Sequence, residues 1–345
     1  MNCAIAPSNW SRRTRSCASA TTVGRMEISV VAAAREDDRP PEEAVQSAVL
    51  ADRLGYREVW LGEGPTWDSF VLATAVGLAT QRIALTAGPM PVSVRDPATI
   101  VRGSADVEAV TGRPVGVALG TSSVRVVRDW HGRSRATPVA DLGAAASAYA
   151  AHRRSEWFGA SSTHGFRQRT TPASGPLTVA AFGDKAIAIA ARYADRMLLD
   201  LVTTEQVREL RGKLDAAAAR LDQPAPRLAA WLPAAVDPDH ASYIQLMRSV
   251  VGYFPVRGYR EVFERAGFGA AIALAEVGAE PDDVLQALPE DAARTVGLVG
   301  DVDTIRARLA EYSDAGLDEV AILPATAGDP AGERTLSALA PRRAD

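Results

Sequence analysis

Cysteine is nearly absent from this sequence. Its two cysteines, Cys3 and Cys17, lie close to the N-terminus, so the body of the chain has no thiol for a disulfide, a thiolate nucleophile or a cysteine-bound metal. Histidine is sparse as well. His131, His152, His164 and His240 show no metal-ligand spacing and no HExxH motif occurs, which disfavours metal catalysis. No GxSxG elbow exists to carry acyl transfer, and no GxGxxG follows the first predicted strand, so the dinucleotide-binding signature is missing. No apolar run reaches the roughly 18 residues of a membrane span. The formal net charge is −4, and Arg12, Arg13, Arg15 and Arg25 are unopposed by any nearby acid, so the rest of the chain is more acidic still. A nucleic-acid partner is therefore disfavoured. Lysine is rare too: of 38 basic residues only Lys185 and Lys213 are lysine.

What remains is an ordinary globular composition, 345 residues with 47% hydrophobic and 23% charged, enough to bury a sizeable core. Residues 1–25 are rich in Ser, Thr and Arg. Their Arg12-Arg13 pair lacks the apolar segment an export signal needs, so this piece reads as a disordered extension or an upstream start to a protein beginning near Met26. The expected location is the cytoplasm.

From Met26 short apolar strands alternate with amphipathic helices. Strands are expected at Glu27 to Ala33, Glu58 to Gly62, Arg82 to Ala87, Val115 to Leu119, Leu177 to Ala181, Arg196 to Asp200, Leu228 to Ala235 and Glu319 to Leu323. The helices between them are expected at Pro41 to Leu54, Trp67 to Thr80, Pro97 to Val110, Val139 to His152, Asp184 to Tyr193, Thr203 to Leu221 and Val302 to Ala315. Eight such units over about 300 residues predict an α/β fold, a (β/α)8 TIM barrel, in preference to an open doubly wound sheet. Asp237 to Pro289 reads as helices without a strand, a helical insertion between strands seven and eight spanning about residues 237–300. The barrel domain is expected over 26–325, with 326–345 as a C-terminal tail.

Barrel chemistry happens where strands end at their C-termini. Strand two ends in WLGEGPTWD, which places Glu63 at that mouth between two glycines, either as a general acid or base or as a structural carboxylate capping the next helix. Strand three ends in TAGPMPVSVRDP, where Gly88-Pro89 and Met90-Pro91 predict a bulge or kink and, at Gly88-Pro89, a cis peptide, with a plain trans turn as the alternative. Strand four runs into Gly120, Thr121 and Ser122, small hydroxyls beside free backbone N–H groups. Strand five runs into Gly183, Asp184 and Lys185 at a helix start, which suits an anion such as phosphate, although Asp184 reads equally well as an N-cap. His131 faces the cleft or is a hydrogen-bonded structural histidine. A polar excursion, Ser155 to Gly175, precedes strand five.

Taken in order, WLGEGPTWDSF, the strand-three end with SVRDP, DVEAVTGRPVGVALGTSS, DWHGR, LTVAAFGDKAIAIAARYADRMLL and GDVDTIRARLAEYSDAGLDEVAILP resemble the luciferase-like flavin or deazaflavin oxidoreductases, and within them the branch that uses coenzyme F420. The resemblance spans nearly all of residues 26–325. It implies a barrel that binds the deazaflavin at the strand C-termini and passes a hydride between the ring's C5 and an electrophilic carbon of a small organic substrate. It places the family's acidic position on Glu63, its bulge on Gly88 and Pro89, and cofactor contacts on Gly120, Thr121, Ser122, Ala181, Phe182, Gly183, Asp184 and Lys185. Glu63 is the first candidate for the proton donor and His131 the second. Gly64 departs from those sugar-phosphate dehydrogenases of the branch that have a histidine after the acidic residue. An FMN-dependent monooxygenase and a non-catalytic flavin- or deazaflavin-binding protein are the alternative functions, and family habit implies a homodimer.

Overall fold

The computed structural model describes residues 26–32, 39–153, 171–256 and 258–341. The expectations for residues 1–25 and for most of the Ser155 to Gly175 excursion lie outside the described residues. Nine parallel strands are described: β1 (Glu27–Ala32), β2 (Glu58–Leu61), β3 (Ala84–Pro91), β4 (Val115–Gly120), β5 (Leu177–Ala180), β6 (Arg196–Asp200), β7 (Arg227–Val236), β8 (Leu298–Gly300) and β9 (Glu319–Pro324). Each of β1 to β6 pairs with the next, β6 pairs with β7, and β9 joins β7 to β1, so eight strands close into a barrel. The expected (β/α)8 TIM barrel is the observed fold.

The helices wrap the outside: α1 (Glu43–Leu54), α2 (Ser69–Ala79), α3 (Pro97–Thr111), α4 (Pro138–Arg153), α5 (Asp184–Tyr193), α6 (Thr204–Ala219) and α12 (Val302–Asp314). Local chemistry sets their ends. Asp68 and Asp96 cap α2 and α3 by accepting backbone N–H bonds, Pro97 occupies the first turn of α3, and Thr203 with Gln206 forms a capping box on α6. Between β7 and β9 lie α7 (His240–Val251), α8 (Tyr259–Arg265), α9 (Gly269–Glu276), α10 (Pro281–Gln286) and α11 (Ala292–Thr295), which share a second apolar cluster around Phe254, Phe263 and Phe268. Among the described residues no helix is long and apolar enough to cross a membrane.

Three departures from the expected pattern have physical reasons. Segment 237–300 is not wholly helical: β8 adds a short strand to the outer end of β7, pairing with Ala234 to Val236, because β7 runs past Trp231, where its ladder with β6 ends. β3 extends through both prolines to Pro91, since its ladder with β4 skips from Ala87 to Met90 and resumes there. Residues after 325 include α13 (Glu333–Leu339), whose Leu336 and Leu339 are buried in the main core and whose Leu336 carbonyl accepts from Tyr56 Oη at 2.8 Å.

Inside the barrel, strand alternation sends every second side chain to the axis. Val31, Trp60, Ala118, Leu198, Ala229 and Ala321 form this inner layer, with Trp231 set edge-on to Trp60 at 5.8 Å. Below it Arg196 donates to Glu319 at 2.6 Å and to both oxygens of Glu58 at 2.7 and 2.9 Å, and lies 4.0 Å over the Trp60 ring. Small alanines leave room above, at the mouth.

Candidate active site

The strand C-termini enclose a cavity of about 690 Å3, counting its open mouth, with walls from Gly62, Glu63 and Gly64 after β2, Asp200 and Leu201 at the end of β6, and Trp231 on β7. Ser249 of α7 and Tyr253 just beyond it close the far side. The Trp231 indole N–H is shielded from solvent and has no hydrogen-bond partner among the described residues. A buried donor without a partner is costly unless a ligand completes it.

Glu63 is held by donors on both oxygens. Arg95 Nε and Nη2 reach Oε1 at 2.9 and 2.7 Å, and the Ser69 backbone N–H reaches Oε2 at 2.9 Å. The contact to Ser69, the first residue of α2, matches the helix-capping alternative, although the cap itself is Asp68. Arg95 also pairs with Asp68; burial pulls the guanidinium pKa down, and the two carboxylates more than restore it. Arg95 belongs to the SVRDP motif, yet the sequence reading gave it no role.

Asp200 is the cavity's other carboxylate. β6 alternates Arg196, Leu198 and Asp200 toward the axis, so the same parity that buries the arginine below carries this aspartate to the mouth. Tyr259 Oη donates to its Oδ2 at 3.1 Å. Desolvation pushes the Asp200 carboxyl up to about 6, against the opposing pull of Tyr259, Tyr253 and the Leu201 N–H. Tyr259 itself is raised well above the usual phenol value, by burial first and by Asp200 next. The ring of Tyr259 packs against Phe182 at 5.0 Å and Tyr253 at 4.8 Å, which ties the end of β5 to the cavity wall.

The β3 bulge has the geometry expected of it: the Gly88-Pro89 peptide is cis and Gly88 has φ +112°. Pro89 lies against Gly120, where an added Cβ would come within 3.3 Å of the proline ring. After β4, Arg135 donates to the Ser122 carbonyl at 2.8 and 3.1 Å, and a longer contact of 3.5 Å reaches Thr121 Oγ1. Ser122 has φ +54°, so the turn is held in a left-handed conformation by an arginine from a polar loop that carried no sequence signal.

At the end of β5, Ala181 is buried and Gly183 is the N-cap of α5, with no side chain satisfying the first N–H groups. Asp184 is the first helical residue, so the alternative that made it the cap does not hold; it pairs with Lys213 at 3.5 Å. Lys185 is exposed. Nothing lies within 4 Å of the Cβ position at Gly183, which leaves the helix start open to an incoming group. His131 follows a π-helical turn, Arg125–Trp130, stacks on Trp130 at 4.2 Å and does not line the cavity.

The model of the luciferase-like monooxygenase family matches residues 24–319. The chain belongs to that family. A putative coenzyme F420-dependent oxidoreductase of Mycobacterium tuberculosis is 22% identical over 342 residues, covering 87% of this chain and 95% of that protein. Among solved structures, an F420-dependent secondary alcohol dehydrogenase in complex with an F420-acetone adduct superposes with a TM-score of 0.67 at 14% identity, over 91% of this chain and 99% of the other. The FMN-bound oxygenating constituent of 3,6-diketocamphane monooxygenase from Pseudomonas putida gives 0.63 at 16% identity, over 92% and 97%. At these identities the structural likeness is one of fold.

Proposed function

We propose that this chain is an F420-dependent oxidoreductase that moves a hydride between the deazaflavin C5 and an electrophilic carbon of a small organic substrate. The observation that carries the reading is the mouth cavity, with its unpartnered Trp231 N–H and two carboxylates in opposite environments. The F420-dependent relative supports the deazaflavin over FMN. The residues present fit such a group. Gly88 and Gly120 keep side-chain bulk away beside the Pro89 ring, and Gly183 with the uncapped start of α5 and Lys185 would take an anionic tail. Thr121, Ser122, Ala181, Phe182 and Asp184 complete the proposed cofactor contacts. When bound, the deazaflavin supplies or accepts the hydride; Glu63 positions Arg95 and the first turn of α2, and His131 is left without a part.

Titrating the purified chain with oxidised and reduced F420, and in parallel with FMN, should show binding in the micromolar range or tighter for F420 alone. Tight FMN binding with none to F420 would transfer the reading to the monooxygenase class. Lys185→Ala is expected to weaken F420 about tenfold, the order of one charge-assisted contact, and to leave a deazaflavin truncated before its phosphate unaffected. Equal loss for both ligands would make Lys185 structural. A panel of ketones, enones and imines with reduced F420 then tests turnover, and a chain that binds but never turns over is a carrier.

The homodimer rests on α2, SFVLATAVGLA, which is apolar around its whole circumference and exposes Val71 and Leu78 beside Val110 of α3. Sedimentation velocity should show a dimer that Leu78→Arg converts to monomer; a monomeric wild type removes the reading.

A further inference from the structure

Resting on the oxidoreductase reading, we propose that Asp200, seated between Tyr253 and Tyr259, is the residue that exchanges a proton with the substrate in this cavity. Its carboxyl O–H donates to a carbonyl oxygen or imine nitrogen. As the adjoining carbon is reduced by hydride from the reduced deazaflavin, that O–H bond breaks, a new O–H or N–H bond forms on the substrate, and Asp200 is left as the carboxylate until solvent reprotonates it. In the reverse direction the carboxylate accepts the alcohol proton.

The assignment stands on where the group is and what surrounds it. Asp200 ends β6 at the barrel mouth and lines the cavity directly. The groups facing it are the Tyr259 hydroxyl from α8, the Tyr253 hydroxyl beyond α7 and the Leu201 N–H; Trp231 is its register partner on β7, and Ser249 and Glu63 line the same cavity. Among the described residues no cation pairs with Asp200, whereas Glu63 is committed to Arg95 and Ser69. Of the two carboxylates in the cavity, one is tied into an ion pair and the other is desolvated with no cation beside it among the described residues, which leaves the second as the proton carrier. Burial holds the Asp200 proton to about pH 6, within reach of neutral operating conditions. The two phenols steer it.

Infrared difference spectroscopy on the full chain without cofactor reads the proton directly, since the carboxyl C=O band exists only in the neutral form. A band titrating near pH 6 is expected, absent in Asp200→Asn. In Tyr259→Phe it should shift to higher pH, because a donor to the carboxylate has been removed. With reduced F420 and whichever ketone or imine of the panel turns over, Asp200→Asn should keep the F420 Kd within about twofold and lower kcat about 100-fold or more. The decline of the wild-type rate above pH 6 should vanish with it. No Asp200-dependent band, or wild-type kcat in Asp200→Asn, overturns the proposal. A wild type that reduces nothing in the panel overturns the oxidoreductase reading and with it the proton's destination, while the band still reports separately whether Asp200 holds a proton.

Discussion

Arg196→Leu is expected to destabilise the protein by about 3 to 5 kcal/mol, the usual result of removing one partner from a buried charge pair. Arg196 is 2% exposed and Glu319 is 1% exposed, and both lie inside the barrel rather than between strands and helices. Glu319 accepts from Ser29 Oγ at 2.6 Å and from Trp60 Nε1 at 3.0 Å in addition to Arg196. Those neutral donors remain when the guanidinium goes, but the charge they surround loses its hydrogen-bonded counter-charge in a water-poor interior and keeps only Arg227 at 4.0 Å. Glu58 is less affected, because it lies nearer the barrel's lower rim. Denaturant titration of the variant checks the figure, with the double variant Arg196→Leu, Glu319→Leu recovering more than half of the loss because the only charge left without its arginine is Glu58, which is partly exposed. A single variant as stable as wild type would show that water reaches Glu319.

The second large effect is expected from Gly88→Ala, about 3 kcal/mol in stability together with loss of cofactor affinity. An alanine Cβ would sit 2.4 Å from the Ala118 carbonyl oxygen and 2.7 Å from the Met90 nitrogen, both backbone atoms that cannot turn aside. The φ of +112° is also a conformation that an L side chain rarely adopts. Relief requires β3 to move away from β4, which shifts the bulge at the mouth. Gly55→Ala is the control: it too has positive φ, +90°, but meets no atom within 4 Å and lies far from the mouth. It should share the backbone strain without the affinity loss, and thermal unfolding with F420 titration on both variants separates the two effects.

The same contrast explains what could be read from the sequence. Strand and helix periodicity exposed the barrel because each unit buries one face locally, and Gly88, Gly120 and Gly183 stand in or just after the C-terminal halves of their strands. Asp200 was open to the same rule that selected Glu63: it was named as the last residue of an apolar strand, and strand parity with Arg196 aims it inward. The family-like segment stops at Leu199, and Asp200 is followed by Leu201 and Val202, with no glycine or proline to mark a turn. Tyr253 and Tyr259 carried no signal at all, since they come from the turn after α7 and from α8, with no repeat or spacing that ties them to β6.

Composition and periodicity alone determined that this is a (β/α)8 barrel, since alternating hydrophobicity is a property of neighbours along the chain. Which carboxylate is paired and which is left desolvated was decided only by the tertiary structure. A side chain's charge state depends on the groups brought to it from distant segments: Arg95 reaches Glu63 across 32 residues and Tyr259 reaches Asp200 across 59, and neither separation has a period to read.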